Sequence, residues 1–223
     1  MKVLRDRRWM LFVDGENFSK AGQRALAAVD IQPAAGERWR PDVYLWAGIG
    51  APSWSNTIEP TTSTGQYGWQ PAADLRRAYY YTSDDADEPE WTATRLAIRE
   101  IGFEPQLFKR RKGRSKAVDV ALASDVLTLG ASGQYEVAII VAGDGDYVPL
   151  LQAVKRLGLH VGVAFIVKDT SSELRIAADE FLDLTEPLAR SWQEYHAQNS
   201  SEAAYQAKIA ARDAEAATAE PGT

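Results

Sequence analysis

The segment Glu136-Val-Ala-Ile-Ile-Val-Ala142 limits the fold more than any other stretch of the chain. Its five central and final positions after the leading glutamate and valine continue without a polar break. A strand with one wet face alternates apolar and polar residues; a strand apolar throughout is covered on both faces, as in a parallel sheet between helices. Similar runs occur at Arg8–Val13, Arg77–Thr82, Phe103–Lys109 and Leu159–Val167, with shorter ones at Asp42–Trp46 and Phe181–Leu184. Helical patterns fall between them. One runs from Asn17 through Ala28, one over Glu90–Ile101 with Gly102 as its C-cap, and one over Ala117–Leu129. Two more cover Tyr147–Leu157, ending before Gly158, and Ser171–Ala178. This alternation predicts an α/β fold of three layers, with a mostly parallel sheet and helices on both faces.

The domain is expected to span residues 1–185. Residues 47–73 are dense in Gly, Pro, Ser and Thr, contain Trp54, Tyr67 and Trp69, and read as a loop insertion. An Ala-rich helix is expected over 186–212 and a disordered tail over 213–223. No apolar run approaches the roughly 18 residues of a membrane span, and Trp9–Val13 is too short for an export signal. No membrane association is therefore expected, and the cytoplasm is the default location. The chain has no Cys and only two His, His160 and His196. Disulfides, thiolate metal sites and thiol nucleophiles are excluded.

The net charge of −6 is unevenly spread: residues 1–116 carry 18 Lys and Arg against 15 Asp and Glu, while 117–223 are strongly acidic. The basic side peaks in Lys109-Arg-Arg-Lys-Gly-Arg-Ser-Lys116, six cations in eight positions. The acidic side has its own pattern. Ligands of open α/β sheets bind beyond the carboxyl ends of the strands. Asp14 ends the first strand, Asp144 and Asp146 follow the strongest one, and Asp119 opens the helix after Phe103–Lys109. All four can reach one sheet edge. Gathered carboxylates repel, and with no thiol and almost no imidazole the fitting neutraliser is a hard cation with oxygen ligands, Mg²⁺ or Mn²⁺. The glycines at 143 and 145 permit a tight turn that presents two of the acids. The plainer reading makes Asp14, Asp144 and Asp146 turn and cap residues. The basic run, three positions before Asp119, suits a phosphate-binding arm for a phosphodiester substrate, with Lys109, Arg110, Arg111, Lys112, Arg114 and Lys116 as its contacts.

Phe12-Val-Asp-Gly-Glu-Asn17, Lys116-Ala-Val-Asp-Val-Ala-Leu-Ala-Ser-Asp125 and Val141-Ala-Gly-Asp-Gly-Asp-Tyr-Val-Pro-Leu150 together resemble the three motifs of the NYN domain. This is a PIN-like group of metal-dependent ribonucleases that includes LabA-like bacterial proteins. Gly158–Val163 and Leu174–Leu184 also follow the family pattern, so the resemblance covers about residues 8–185. It implies a PIN-like Rossmannoid fold. It also implies that Asp14, Asp119, Asp144 and Asp146 hold the metal and carry catalysis, with Asn17 as an accessory residue orienting a carboxylate or phosphate. The expected partner is RNA, single-stranded or structured, ahead of DNA; a homodimer is compatible with the chain. The stretch 47–73 and the helix beyond 186 depart from the family core.

Two rival readings stand beside this one. A haloacid-dehalogenase-like phosphatase also has an Asp after its first strand and a later Gly-Asp-Gly turn, but it needs an Asp where Glu16 stands and an acid where Val148 stands. A NYN-like module that binds RNA or a protein partner without cutting is the other. Among single residues, Asn17 could equally cap the first helix. Tyr79, Tyr80 and Tyr81 read as strand residues facing alternate sides, Ser171 and Ser172 as N-caps, and His160 as a satisfied core residue. Asp125 falls on the stripe of Val118, Leu122 and Leu129, about 9 Å along the helix axis from Asp119. It is expected to be a buried accessory acid held by backbone N–H groups or a cation.

Overall fold

The computed structural model of the chain describes residues 7–31, 75–84, 87–100, 102–110, 116–190, 192, 193 and 197. The expected strand at 42–46, the insertion at 47–73 and the tail at 213–223 lie outside the described residues. So does most of the helix expected over 186–212.

Among the described residues, strands and helices follow in the order β1 (Trp9–Asp14), α1 (Gly15–Ala27), β2 (Leu75–Asp84), α2 (Glu88–Glu100), β3 (Glu104–Lys109), α3 (Lys116–Ala131), β4 (Val137–Val141), α4 (Val148–Arg156), β5 (His160–Phe165), α5 (Ser172–Ala177) and β6 (Glu180–Asp183), then a helical stretch over 185–190. The six strands form one sheet in the order β3-β2-β1-β4-β5-β6, and every neighbouring pair is parallel. Every residue of β1 and of β4 is buried, as uninterrupted apolar strands require when both faces are covered.

The pleat divides the core in two. Trp9, Leu11 and Val13 of β1, with Tyr80, pack toward α1, Ile98 of α2, Leu188 and Trp192. Met10 and Phe12, with Tyr81, pack toward Val118, Leu122 and Val126 of α3, toward α4, and toward Leu174 of α5. The tyrosine run thus alternates faces, Tyr80 on one side and Tyr79 and Tyr81 on the other. No helix among the described residues is long and apolar enough to cross a membrane.

Gly102 ends α2 in the left-handed region, at φ 94°, where a side chain would be strained. Several local expectations shift. The helix expected from Tyr147 starts at Val148, where Pro149 suits the first turn, and Gly145–Tyr147 forms a 3₁₀ turn before it. Ser171 occupies the N-cap position of α5 but makes no side-chain cap bond. Its N–H is instead given to the Gly143 carbonyl at 2.9 Å. His160 is not a satisfied core residue. It opens β5, partly exposed, with Nδ1 3.5 Å from Asp179, and its buried Nε2 has no hydrogen-bond partner.

The strand order reverses direction between β1 and β4. Chain order runs outward from β1 through β2 to β3 on one side, and from β4 through β5 to β6 on the other. The loops leaving β1 and β4 therefore diverge and open a crevice at the carboxyl ends of these two strands, where ligands of such sheets bind.

Candidate active site

Asp14 closes β1 at that crevice and is buried, 5% exposed. Its Oδ1 accepts the Asn17 N–H at 3.0 Å, which caps α1. Its Oδ2 accepts from the Tyr147 hydroxyl at 3.0 Å. The cap reading and the site reading of Asp14 are thus compatible, because each oxygen has its own partner.

The Tyr147 hydroxyl also lies 3.2 Å from Oδ1 of Asp119, in the first turn of α3. Three elements far apart in sequence meet at this one oxygen. A phenol has a single proton and cannot donate to two carboxylates at once. Either one acid holds a proton or one faces the phenol as an unpaired anion. Burial pushes the Asp14 carboxyl up to about 6, with the charges of Asp119 and Glu16 adding to the shift. Asp119 is raised too, by burial and then by the charges of Asp144, Asp146 and Glu16. Tyr147 is driven above its ordinary range by burial and both acids.

Asp144 and Asp146 are exposed on the turn after β4. Asp144 caps the turn by accepting the Asp146 N–H at 3.0 Å, and both acids line one cavity with Asp119 and Tyr147. The turn is set by close approach, not by unusual backbone angles. A Cβ on Gly143 would lie 2.4 Å from the Asp169 carbonyl oxygen and from the Phe165 ring. Gly143 is therefore required because the segment after β5 packs directly against it.

Asn17, half-buried at the start of α1, reaches across to the β4 turn. Its Oδ1 accepts the Gly143 N–H at 2.8 Å, tying the start of α1 to the turn that bears Asp144. It positions the backbone that bears Asp144. Asp125 differs from expectation. The buried stripe of α3 runs through Val118, Leu122 and Val126, which leaves Asp125 partly exposed at its margin. Its partner is the buried Tyr81 hydroxyl at 2.9 Å, neither backbone N–H nor cation.

The basic arm begins at the same sheet edge. Lys109 ends β3 with its ammonium 5.9 Å from the Trp91 ring centre. Arg110 donates to the Ser83 carbonyl at 3.2 Å and to Ser83 Oγ at 3.4 Å, and lies 3.5 Å from Glu16 Oε2. Arg111, Lys112 and Arg114 lie outside the described residues, as does the Lys116 side chain. The carboxyl edge of the sheet thus passes from cations at β3, through Ser83 and Glu16, to the carboxylates at β1 and β4. Tyr147, Glu16 and Ser83 are site residues that the sequence analysis did not single out. Glu16 and Tyr147 lie inside the quoted motifs, and that was the available signal; Ser83 carried none.

The donor chemistry suits a hard cation. It is all oxygen and anionic, and the neighbouring acids add to the rise that burial causes in two of the carboxyl groups. Among the described residues, however, no three Asp, Glu or His side chains are drawn close enough to form a ready-made metal site.

A family model described as the NYN domain matches residues 8–185. Among solved structures, the chain is similar to a crystal structure of a protein of unknown function from Vibrio parahaemolyticus. The identity is 20%, with 82% of this chain and 96% of that chain covered and a TM-score of 0.50. That likeness concerns the fold. No curated protein matches this chain.

Proposed function

The chain belongs to the NYN domain family, whose PIN-like fold is generally that of nucleases, and on that premise we propose that it is a divalent-metal-dependent ribonuclease. The observation that carries this reading is the meeting of Asp14 and Asp119 at the Tyr147 hydroxyl, beside Asp144 and Asp146, at the switch point of the sheet.

Asp14, Asp119, Asp144 and Asp146 would hold Mg²⁺ or Mn²⁺. The bound ion supplies charge neutralisation at one phosphate and a more acidic water. The remaining work falls to the chain. Tyr147 keeps Asp14 and Asp119 oriented toward each other. Asn17 fixes the backbone that carries Asp144. The Lys109–Lys116 arm holds the RNA backbone across the edge. A carboxylate oxygen not engaged with the ion accepts the proton of the attacking water. Water oxygen bonds to phosphorus, the P–O bond to one ribose breaks, and the leaving oxygen takes up a proton. Spontaneous hydrolysis is so slow that activation and neutralisation must each supply several kcal/mol.

The test is incubation of the purified protein with mixed RNA and DNA, with and without Mn²⁺ and chelator. RNA cleavage that needs the ion and stops with chelator is the expected result. Cleavage indifferent to chelator removes the metal. Absence of cleavage favours the second reading, an RNA-binding domain that does not cut.

Replacing Arg110, Arg111 and Lys112 together with Ala should weaken RNA binding across sequences. It should also flatten the salt dependence by about 0.7 per lost phosphate contact on a single strand. A salt slope equal to that of the wild type would show a solvated loop. Part of the expected loss is blunted at Arg110, whose guanidinium is already shared between Ser83 and Glu16.

A further inference from the structure

The cavity that holds Asp119, Asp144 and Asp146 at one end does not stop at the acids. The cavity, about 330 Å³ in all, continues as a trough between α3 and α4, walled by Val120, Ala123, Leu127, Pro149, Leu150 and Ala153. None of these side chains carries a hydrogen-bonding group. Val120 is 69% exposed, a large apolar residue left open to water in a cavity that three carboxylates also line. The size lies at the lower end of small-ligand sites, and an apolar wall next to a few convergent polar groups is their usual composition.

We propose that this trough is a nucleobase subsite, which takes the unpaired base attached to the phosphate held at the acids. The inference rests on the ribonuclease reading for the identity of the polymer. The occupant follows from the two ends of one cavity. One end suits a cation-bridged phosphate, and the adjoining wall suits a flat apolar body. A nucleotide joins these two chemistries in one molecule. A base inside a duplex is stacked and paired, and it cannot enter a trough between two helices without being extruded. The substrate is therefore unpaired at this position. The walls offer no donor or acceptor to read a base edge, so the subsite accepts any base and selects for single-strandedness, not for sequence.

The probes are adenosine 5′-monophosphate, uridine 5′-monophosphate and ribose 5-phosphate, each titrated with Mg²⁺ into the full chain and followed by NMR. Both nucleotides should bind about tenfold more tightly than ribose 5-phosphate, the gain expected for burying one base on aliphatic walls. They should shift the resonances of Val120, Ala123, Leu127 and Ala153, and ribose 5-phosphate should not. Ala153→Phe fills the trough and should erase the difference while leaving ribose 5-phosphate binding within about twofold. If that variant unfolds, Val120→Asn at the exposed rim should reduce the difference in a folded protein. Equal binding of nucleotide and sugar phosphate, or shifts that avoid the trough, overturns the proposal. Base-dependent binding to a protein that cuts no RNA keeps the subsite and sinks the hydrolase reading. RNA cleavage without base-dependent binding does the reverse.

Discussion

In metal-free buffer at pH 7.5, Asp14→Asn should melt at a higher temperature than the wild-type protein, and with Mn²⁺ supplied it should fail to cleave the RNA that the wild type cuts. Burial holds the folded Asp14 carboxyl at about 6 against an ordinary value of 3.8. Between these values the folded chain binds a proton that the unfolded chain has released. Stability conferred by the neutral carboxyl is full below the unfolded value and is lost as pH rises toward 6. Above pH 6 the wild type carries the whole penalty of a buried charge near Asp119. A shift of about two units corresponds to roughly 3 kcal/mol. Asparagine is neutral and keeps one acceptor: its Oδ1 can cap the helix about as well as aspartate, while its amide N–H faces the Tyr147 oxygen, whose proton is then free to go to Asp119. A gain of about 1–3 kcal/mol is therefore expected at neutral pH, falling toward zero near pH 4. Added Mn²⁺ should reverse the ranking, because only the wild type gains binding free energy from the ion. Melting curves at pH 4, 5.5 and 7.5, with and without Mn²⁺, read all of this. A variant less stable than wild type at every pH would show that Asp14 is held by its hydrogen bonds and carries no charge penalty.

The sheet was legible because its information is local. Two faces of cover leave their mark in each strand separately, so Val137–Val141 and Trp9–Val13 identify themselves without their neighbours. The strand-end positions of Asp14, Asp119, Asp144 and Asp146 follow from the same reading. What joins them does not. Tyr147 reaches Asp14 across 133 positions and Asp119 across 28, and nothing near Tyr147 in the sequence indicates that its hydroxyl turns toward them. Asn17 shows the same limit. A cap role and a site role were equally readable, yet the side chain bonds the backbone of Gly143, 126 positions away. The glycines of the β4 turn were assigned to backbone freedom, whereas Gly143 is needed because Phe165 at the end of β5 and Asp169 beyond it press against it. Periodicity identifies a buried face but not what fills the space opposite. Asp125 stood out on its helix, and its partner, Tyr81, comes from β2.

That partner determines how Asp119 and Asp125 should separate under mutation. Asp119→Asn removes a charge from a group already raised by burial and by Asp144 and Asp146. It leaves an amide oxygen within reach of Tyr147, so the fold should be as stable as wild type or slightly more so. Cleavage should fall by orders of magnitude, because the proposed ion loses one of its anionic ligands. Asp125→Ala should behave in the opposite sense. Tyr81 is fully buried, and its hydroxyl donates to Asp125 at 2.9 Å. Removing the acceptor strands a buried donor, which costs about 1–3 kcal/mol. Tyr81→Phe combined with Asp125→Ala deletes the donor as well and should recover much of that loss, since no unpaired polar group remains buried. Chemical denaturation gives the three stabilities, and single-turnover cleavage under saturating Mn²⁺ gives the rates. A folded but inactive Asp125→Ala beside an active Asp119→Asn would transfer the catalytic role to Asp125 and move the ion toward β2. A double variant no more stable than Asp125→Ala alone would show that Asp125 is held by something other than the tyrosine.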